Sequence, residues 1–256
     1  TRWLQSTKSA NSASATESAL AALFLSWFDP ELASDIIRPF FDNQSDEGII
    51  PQMIRPVTTS RFPATPFLPE AVYHLSRLTE TPGLPALLEK MQKFSDWLIL
   101  HKKEDDGLYV HGDPKWFAAD AYLYQTRQAS PISRSATYDV RSVALNSMLI
   151  YQMRFISRLA RSLKLDREAD KFEETAKQLS DNMANILWDE ESGFFYDRIG
   201  GRLQRSVLLA GFMPLAAEIP TRAQAARMLE QLPQARDQLT VMNYCPALAP
   251  AVGIIV

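Results

Sequence analysis

Apolar residues along this chain recur at three- and four-residue spacing, block after block, which predicts helix almost throughout and very little strand. Leu20, Leu23, Phe24, Trp27 and Phe28 share one helical face. Asp29-Pro30-Glu31 then resets the chain: Asp29 suits an N-cap, Pro30 the first helical position, and Glu31 the positive end of a helix dipole. Leu32, Ile36, Ile37, Phe40 and Phe41 carry a second helix, which Pro39 should kink or end. Phe67, Leu68, Ala71, Val72, Leu75 and Leu78 predict a third. Thr81-Pro82 should cap a fourth, with Leu84, Leu87, Leu88, Met91, Phe94 and Leu98 turned inward. A fifth helix, expected from near Asp139, has the stripe Val140, Ala144, Met148, Tyr151, Phe155 and Leu159. Val143, Ile150, Met153 and Ile156 make its other faces apolar too, so it should be buried nearly all round. A sixth, from about Glu168, has one stripe, Ala169, Phe172, Ala176, Leu179, Met183 and Ile186, opposite a face of Lys, Glu, Gln and Asp. Residues 207–217 and 223–232 give a weaker final pair.

The spacing between these blocks alternates. Connections at Asp29-Pro30, 79–82, 165–167 and 218–221 are short; those at 42–65, 103–138 and 188–205 are long. Short links make antiparallel hairpins, and long ones between hairpins then fall on one end, where loops tend to be functional. The expected fold is all-α, with helical hairpins side by side as an inner and an outer ring; a right-handed superhelical array would also set hairpins side by side, but no fixed repeat period is found.

Composition narrows the function classes. The chain has 256 residues, 46% hydrophobic and 22% charged, and a net charge of −3. That suits a globular domain and argues against nucleic acid as a partner. No run is long and apolar enough for a membrane span, so no membrane partner is expected. No basic segment followed by an apolar one opens the sequence; a cytoplasmic location is slightly favoured and the compartment otherwise open. Cys245 stands alone and the three histidines, His74, His101 and His111, have no helix-face pairing. Neither a metal site nor a cofactor is expected. Oligomeric state is not legible.

Candidate chemistry concentrates in the connection Glu104-Asp105-Asp106-Gly107-Leu108-Tyr109-Val110-His111-Gly112-Asp113-Pro114-Lys115-Trp116-Phe117. Carboxylates there could serve acid–base work and aromatic faces could stack on sugar C–H faces. A solvated loop with Gly-Asp-Pro as its turn is the alternative.

Several passages, in this order, resemble the six-hairpin glycosidases, in particular the trehalase and processing α-glucosidase families, which include mannosylglycerate hydrolase-like proteins. They are Asp29-Pro30-Glu31-Leu32-Ala33; the run from Phe41 through Gln44 and Gly48 to Pro51; Thr65-Pro66 before Ala71-Val72-Tyr73; Gly112-Asp113-Pro114-Lys115-Trp116-Phe117; Val143-Ala144-Leu145-Asn146; and Trp188 to Asp197. α-L-Rhamnosidases share the fold and parts of the pattern. The resemblance implies an all-α (α/α)6 toroid, here an incomplete ring of about four hairpins with residues 1–256 as one partial domain, an oligosaccharide or disaccharide substrate, and inverting hydrolysis of an O-glycosidic bond, as in an α-glucoside. Asp113 falls on the general acid, which must stay protonated near neutral pH. Trp116, His111, Lys115, Tyr138 and Asn146 fall where substrate is bound. Asn146 could equally hydrogen-bond between helix and loop, and Arg134 and Tyr138 precede an inner helix.

The chain also departs from the family pattern. Ala15-Thr16-Glu17-Ser18-Ala19 stands where those families carry a Trp-Asp that grips sugar hydroxyls, Ala144 stands for an Asp, and Lys115 for an Arg with its bidentate fork. Their general base is a Glu in a later hairpin, which this chain is expected to lack, so no partner for Asp113 is nominated and whether the chain alone is an enzyme is left open. An inverting pair needs its carboxyls about 6.5–9.5 Å apart. The rival reading is a non-catalytic helical homologue that binds sugar or serves as a scaffold; an α-L-rhamnosidase-like hydrolase is a further alternative.

Overall fold

The computed structural model describes residues 12–60, 63–64, 66–110 and 140–233. Eight α-helices lie among them: α1 (Ala15–Leu25), α2 (Pro30–Asp42), α3 (Leu68–Leu78), α4 (Leu84–Lys102), α5 (Val143–Ser162), α6 (Asp166–Ile186), α7 (Met213–Ala216) and α8 (Arg222–Glu230). In chain order they pair through short links, and long connections separate the pairs, as the spacing of apolar blocks predicts. His111, Asp113, Lys115, Trp116, Arg134, Tyr138 and Cys245 lie outside the described residues. The chain divides into two compact units, one of Thr1–Tyr109 with Met148–Asp181, the other of Val110–Ser147 with Asn182–Val256.

In the first unit, α2 begins as its sequence dictates. The Asp29 side chain accepts the Leu32 amide at 3.0 Å and Pro30 opens the helix. Pro39 does not end it. The proline removes the donor to the Asp35 carbonyl, at an exposed residue, and α2 runs on to Asp42, burying Ile36, Ile37, Phe40 and Phe41. The fourth helix starts after Gly83, in the left-handed region, without the Thr81 side-chain cap expected. It buries Leu87, Leu88, Met91, Phe94 and Leu98, five of the six positions assigned inward from the sequence.

Helix α1 corrects the sequence reading. Its buried face is Ala15, Ser18, Ala19 and Ala22, whereas Leu20, Phe24, Trp27 and Phe28 are exposed. Small side chains let α1 approach α2 and α3 closely, and no bulky residue fits that seam. Phe24 and Phe28 cover each other in part, with ring centroids 5.1 Å apart. Two further ties in this unit are polar. Tyr151 Oη donates to Glu70 at 2.7 Å, linking α3 to α5, and Ser157 Oγ donates to the Ala169 carbonyl at 2.9 Å across the α5–α6 hairpin.

Part of the family-like pattern proves to be scaffold. Gln44 Nε2 donates to the carbonyls of Gly48 and Lys90, each at 2.8 Å, closing the connection after α2 onto α4. Gly48 has φ +107° and lies so close to α4 that a Cβ would sit 2.8 Å from the Lys93 carbonyl oxygen. Lys90 Nζ, in turn, donates to the Phe41 carbonyl at 2.8 Å. The Gln and Gly of that run are therefore needed for backbone closure.

Short strands, which helical periodicity does not register, occupy the long connections. Ala13–Ser14 (β1) pairs with Met53–Ile54 (β2) in the first unit. In the second, Val140–Arg141 (β3) pairs with Arg198–Ile199, and Trp188–Asp189 (β4) with Phe194–Phe195 (β5). Arg198–Ile199 (β6) also pairs with Arg202–Leu203 (β7), giving a three-stranded ribbon in the order β3-β6-β7. The fifth helix consequently starts at Val143, later than the Asp139 expected, because Val140 and Arg141 are spent on strand pairing.

Candidate functional site

The connection that carries the candidate chemistry has a built base. Val110 and Arg141 form an antiparallel bridge, so the residues that flank 111–139 lie side by side. Arg141 pairs in turn with Arg198, and β6 with β7, extending the base into the ribbon. Residues 111–139, between the bridged ends, contain five of the six site residues inferred from the sequence: His111, Asp113, Lys115, Trp116 and Tyr138.

The sixth, Asn146, is described. It is fully buried, and its Nδ2 donates to the Ser142 carbonyl at 2.8 Å. That bond lies inside the first turn of α5. Ser142 serves the same turn, its Oγ accepting the Leu145 amide at 3.3 Å and its carbonyl the Asn146 amide at 3.2 Å. These bonds serve donors that a buried helix start would otherwise leave unmet.

Asp197, unmarked by sequence reasoning, completes that helix start. Its Oδ1 accepts the Val143 amide at 2.7 Å, and its own carbonyl accepts the Gln204 amide at 2.8 Å. The other carboxyl oxygen, Oδ2, is buried with no hydrogen-bond partner among the described residues. Burial pushes this carboxyl up to about 6, against the opposing pull of the Val143 N–H. The signal in the sequence was only its position at the end of the aromatic turn, and its partner is 54 residues away.

The turn between β4 and β5 is held by charge. Ser192 donates to Asp189 Oδ2 from both Oγ (2.8 Å) and its amide (3.3 Å), and Arg205 Nη2 donates to Oδ1 at 2.9 Å. Burial raises the Asp189 pKa, but the Ser192 and Arg205 bonds outweigh it and hold the carboxyl below its usual range. Arg205 reaches Glu191 as well, at 3.2 Å. Arg227 of α8 grips Glu190, whose carboxylate is lowered first by the Trp188 indole and then by Arg227. Trp188 and Phe195 pack edge to face with centroids 5.0 Å apart, the hairpin-packing role their positions suggest. Each carboxylate in this turn is engaged in the scaffold. Among the described residues no group of three His, Cys, Asp or Glu side chains could hold a metal ion, and no helix is long and apolar enough to cross a membrane.

Comparison with known proteins adds the following. Residues 10–246 match the family model described as the mannosylglycerate hydrolase MGH1-like glycoside hydrolase domain. A mannosylglycerate hydrolase from Rubrobacter radiotolerans is 26% identical over 175 residues, covering 64% of this chain and 39% of that protein. The match thus spans well under half the length of that relative. Among solved structures, the GH63 mannosylglycerate hydrolase from Thermus thermophilus, in complex with glucose, superposes with a TM-score of 0.68 at 21% identity, covering 86% of this chain and 68% of that one. The neutral trehalase Nth1 from Saccharomyces cerevisiae gives 0.62 at 16% identity, covering 89% and 54%. At such identities the likeness establishes the fold, the all-α hairpin fold of (α/α)6 toroids.

Proposed function

Because the chain belongs to the mannosylglycerate hydrolase MGH1-like glycoside hydrolase domain family, we propose that it donates the proton in inverting hydrolysis of an O-glycosidic bond, with Asp113 as general acid. The supporting observation is the family match itself, which spans the segment holding Asp113. The Val110–Arg141 bridge gives that segment a fixed base. Asp113 protonates the leaving oxygen while a second carboxylate activates water on the opposite face of the sugar. Trp116 offers a stacking face; His111, Lys115 and Tyr138 offer polar contacts to the substrate. Asn146 supports the site from within α5.

The substrate to examine first is mannosylglycerate, by analogy with the relatives' activity, followed by trehalose, glucosylated glycans and α-L-rhamnosides. Lys115 suits the carboxylate of a glycerate leaving group as a point charge, without the bidentate geometry of an arginine. The test compares the chain with Asp113→Asn by proton NMR on that panel. The expected result is release of the sugar with inverted anomeric configuration, and a loss of roughly a hundred- to ten-thousandfold in the variant. Equal turnover by both proteins removes Asp113 from the role, and retention of configuration removes the inverting mechanism. Binding of a panel sugar without hydrolysis by either protein favours the non-catalytic reading instead.

A further inference from the structure

Asp197 combines three features that a scaffold carboxylate does not need together. It is 7% exposed, it holds the first amide of α5, and it leaves one oxygen buried and without a partner among the described residues. A serine or asparagine could accept the same N–H without placing a titratable group out of water. Among the described residues Asp197 makes no ion pair. The first turn of α5, from Val143 to Asn146, brings it no charged side chain. The charged residues of the adjoining strands are Arg141 on β3, Arg198 on β6 and Arg202 on β7, and none lies within ion-pair distance of the carboxyl. Arg205, beyond them, is taken by Asp189 and Glu191. The backbone around Asp197 is committed to the same junction: Arg198–Ile199 pairs with Arg141–Val140, and Val110 bridges to Arg141.

We propose that Asp197 is a positioning residue: by holding the Val143 amide it fixes the strand-to-helix turn, Val140 to Asn146, that follows residues 111–139 in the chain and is bridged to Val110. The positioning role rests on the glycosidase reading above; the grip on α5 does not. The Asp197–Val143 bond and the β3–β6 pairing hold one turn from two sides, so loss of the bond frees the start of α5 while the ribbon remains.

The state of the carboxyl sets how firmly the turn is held. Its pKa is raised from 3.8 to about 6 by burial, so the neutral acid is the form the folded junction favours. The stability it contributes is fully present below 3.8 and is lost as pH rises through about 6, because opening the junction hydrates the carboxylate. With those two values the equilibrium for local opening rises roughly fifty-fold between pH 4 and pH 7.

Hydrogen exchange at Val143 to Asn146 in the 256-residue chain, in Asp197→Asn and in Asp197→Ala, tests this. Protection in the wild type should fall roughly fifty-fold over that range, after correction for intrinsic exchange. Asp197→Asn keeps an acceptor and cannot ionise, so its protection should stay flat with pH. Asp197→Ala should lose protection at every pH. On a substrate the chain hydrolyses, Asp197→Ala should lower kcat at least tenfold with KM little changed, and Asp197→Asn should restore it. Equal protection in all three proteins, or the same pH dependence in Asp197→Asn, overturns the grip on α5. The expected exchange pattern with an unchanged kcat in Asp197→Ala overturns the positioning role. If no panel substrate is turned over by any of the three, the glycosidase reading fails and the positioning role with it, whereas the exchange result still decides the grip.

Discussion

Replacing Gly211 by alanine should destabilise the second unit through a single steric contact. Gly211 sits in the 3-10 turn Leu209–Phe212, almost without exposed surface. A Cβ there would lie 2.3 Å from Phe194 Cε1, 2.6 Å from Cζ and 3.0 Å from the Phe195 carbonyl oxygen. Ordinary carbon–carbon contact needs about 3.5–4.0 Å, so the ring must retreat by more than an ångström. It has little room to do so. Phe194 is fully buried, edge to face with Phe212 at 4.9 Å and tilted against Tyr196 at 5.3 Å. Overpacking of this kind costs about 1–3 kcal/mol. Alanine recovers about 0.4–1 kcal/mol of unfolded-chain entropy, because the glycine has no positive φ that alanine would resist. A net loss of about 1–2 kcal/mol follows, which lowers the melting temperature by roughly 2–8 °C for a chain of this size. Differential scanning calorimetry reads the shift. Phe194→Leu should relieve the clash, so Gly211→Ala with Phe194→Leu should lose less than the two single losses added together. A single variant melting within about a degree of wild type, or strict additivity in the double variant, refutes the close approach of Gly211 to Phe194.

Three further outcomes follow from separate features. Gly48→Ala should cost roughly 3 kcal/mol in urea titration, since it meets both a positive φ and the Lys93 carbonyl, whereas Gly83→Ala, with φ +74° and no atom within 4 Å, should lose only about 1 kcal/mol; equal losses would show that backbone contact plays no part at Gly48. Gln152→Met should be neutral or stabilising by about 1 kcal/mol in the same titration, because Gln152 is buried beside a small cavity lined by Phe41, Met91 and Phe94, has only a 3.5 Å bond to Ser95, and leaves Oε1 unpaired; a clear destabilisation means the amide oxygen is satisfied in solution. The lowered Asp189 pKa contributes stability present above its unfolded value near 3.8 and lost as pH falls through the folded value, so in acid titration followed by near-ultraviolet circular dichroism Asp189→Asn should flatten the lowest-pH part of the curve, and an unchanged curve would remove the Ser192–Arg205 grip as its cause.

What the chain discloses about itself depends on how far apart the interacting residues lie. Helices α2, α4 and α6 were legible because the stripe of each, and in α2 the cap and the opening proline as well, lies within one helix. Asp29 and Leu32 are three residues apart, and a face repeating every three or four residues needs no knowledge of the partner. The first helix misleads for the complementary reason. Its bulky residues do share a face, but the neighbours α2 and α3 accept only small side chains, a property of the interface and not of the segment. The strands were invisible because each is two residues long, too short for alternation to register, and β1 and β3 have partners remote in the chain. The candidate site divides along the same line. The segment with His111, Asp113, Lys115 and Trp116, proposed above as the site, stands out in the sequence because its acidic and aromatic residues are contiguous and resemble a family motif.

Asp197 could not be found that way. It closes the aromatic turn as one acidic residue among several, and only the folded chain brings it to Val143. A proton donor, the role proposed for Asp113, must stand where substrate arrives, and connections rich in polar residues are where such groups concentrate. A carboxyl that holds a helix start does so by leaving water, and the cost of leaving water, written in its raised pKa, is a consequence of packing. Residues that act on a ligand leave a local trace in the sequence; residues that act on other residues leave theirs in contacts, and Val110, Arg141, Asp197 and Arg198 are legible only as a set.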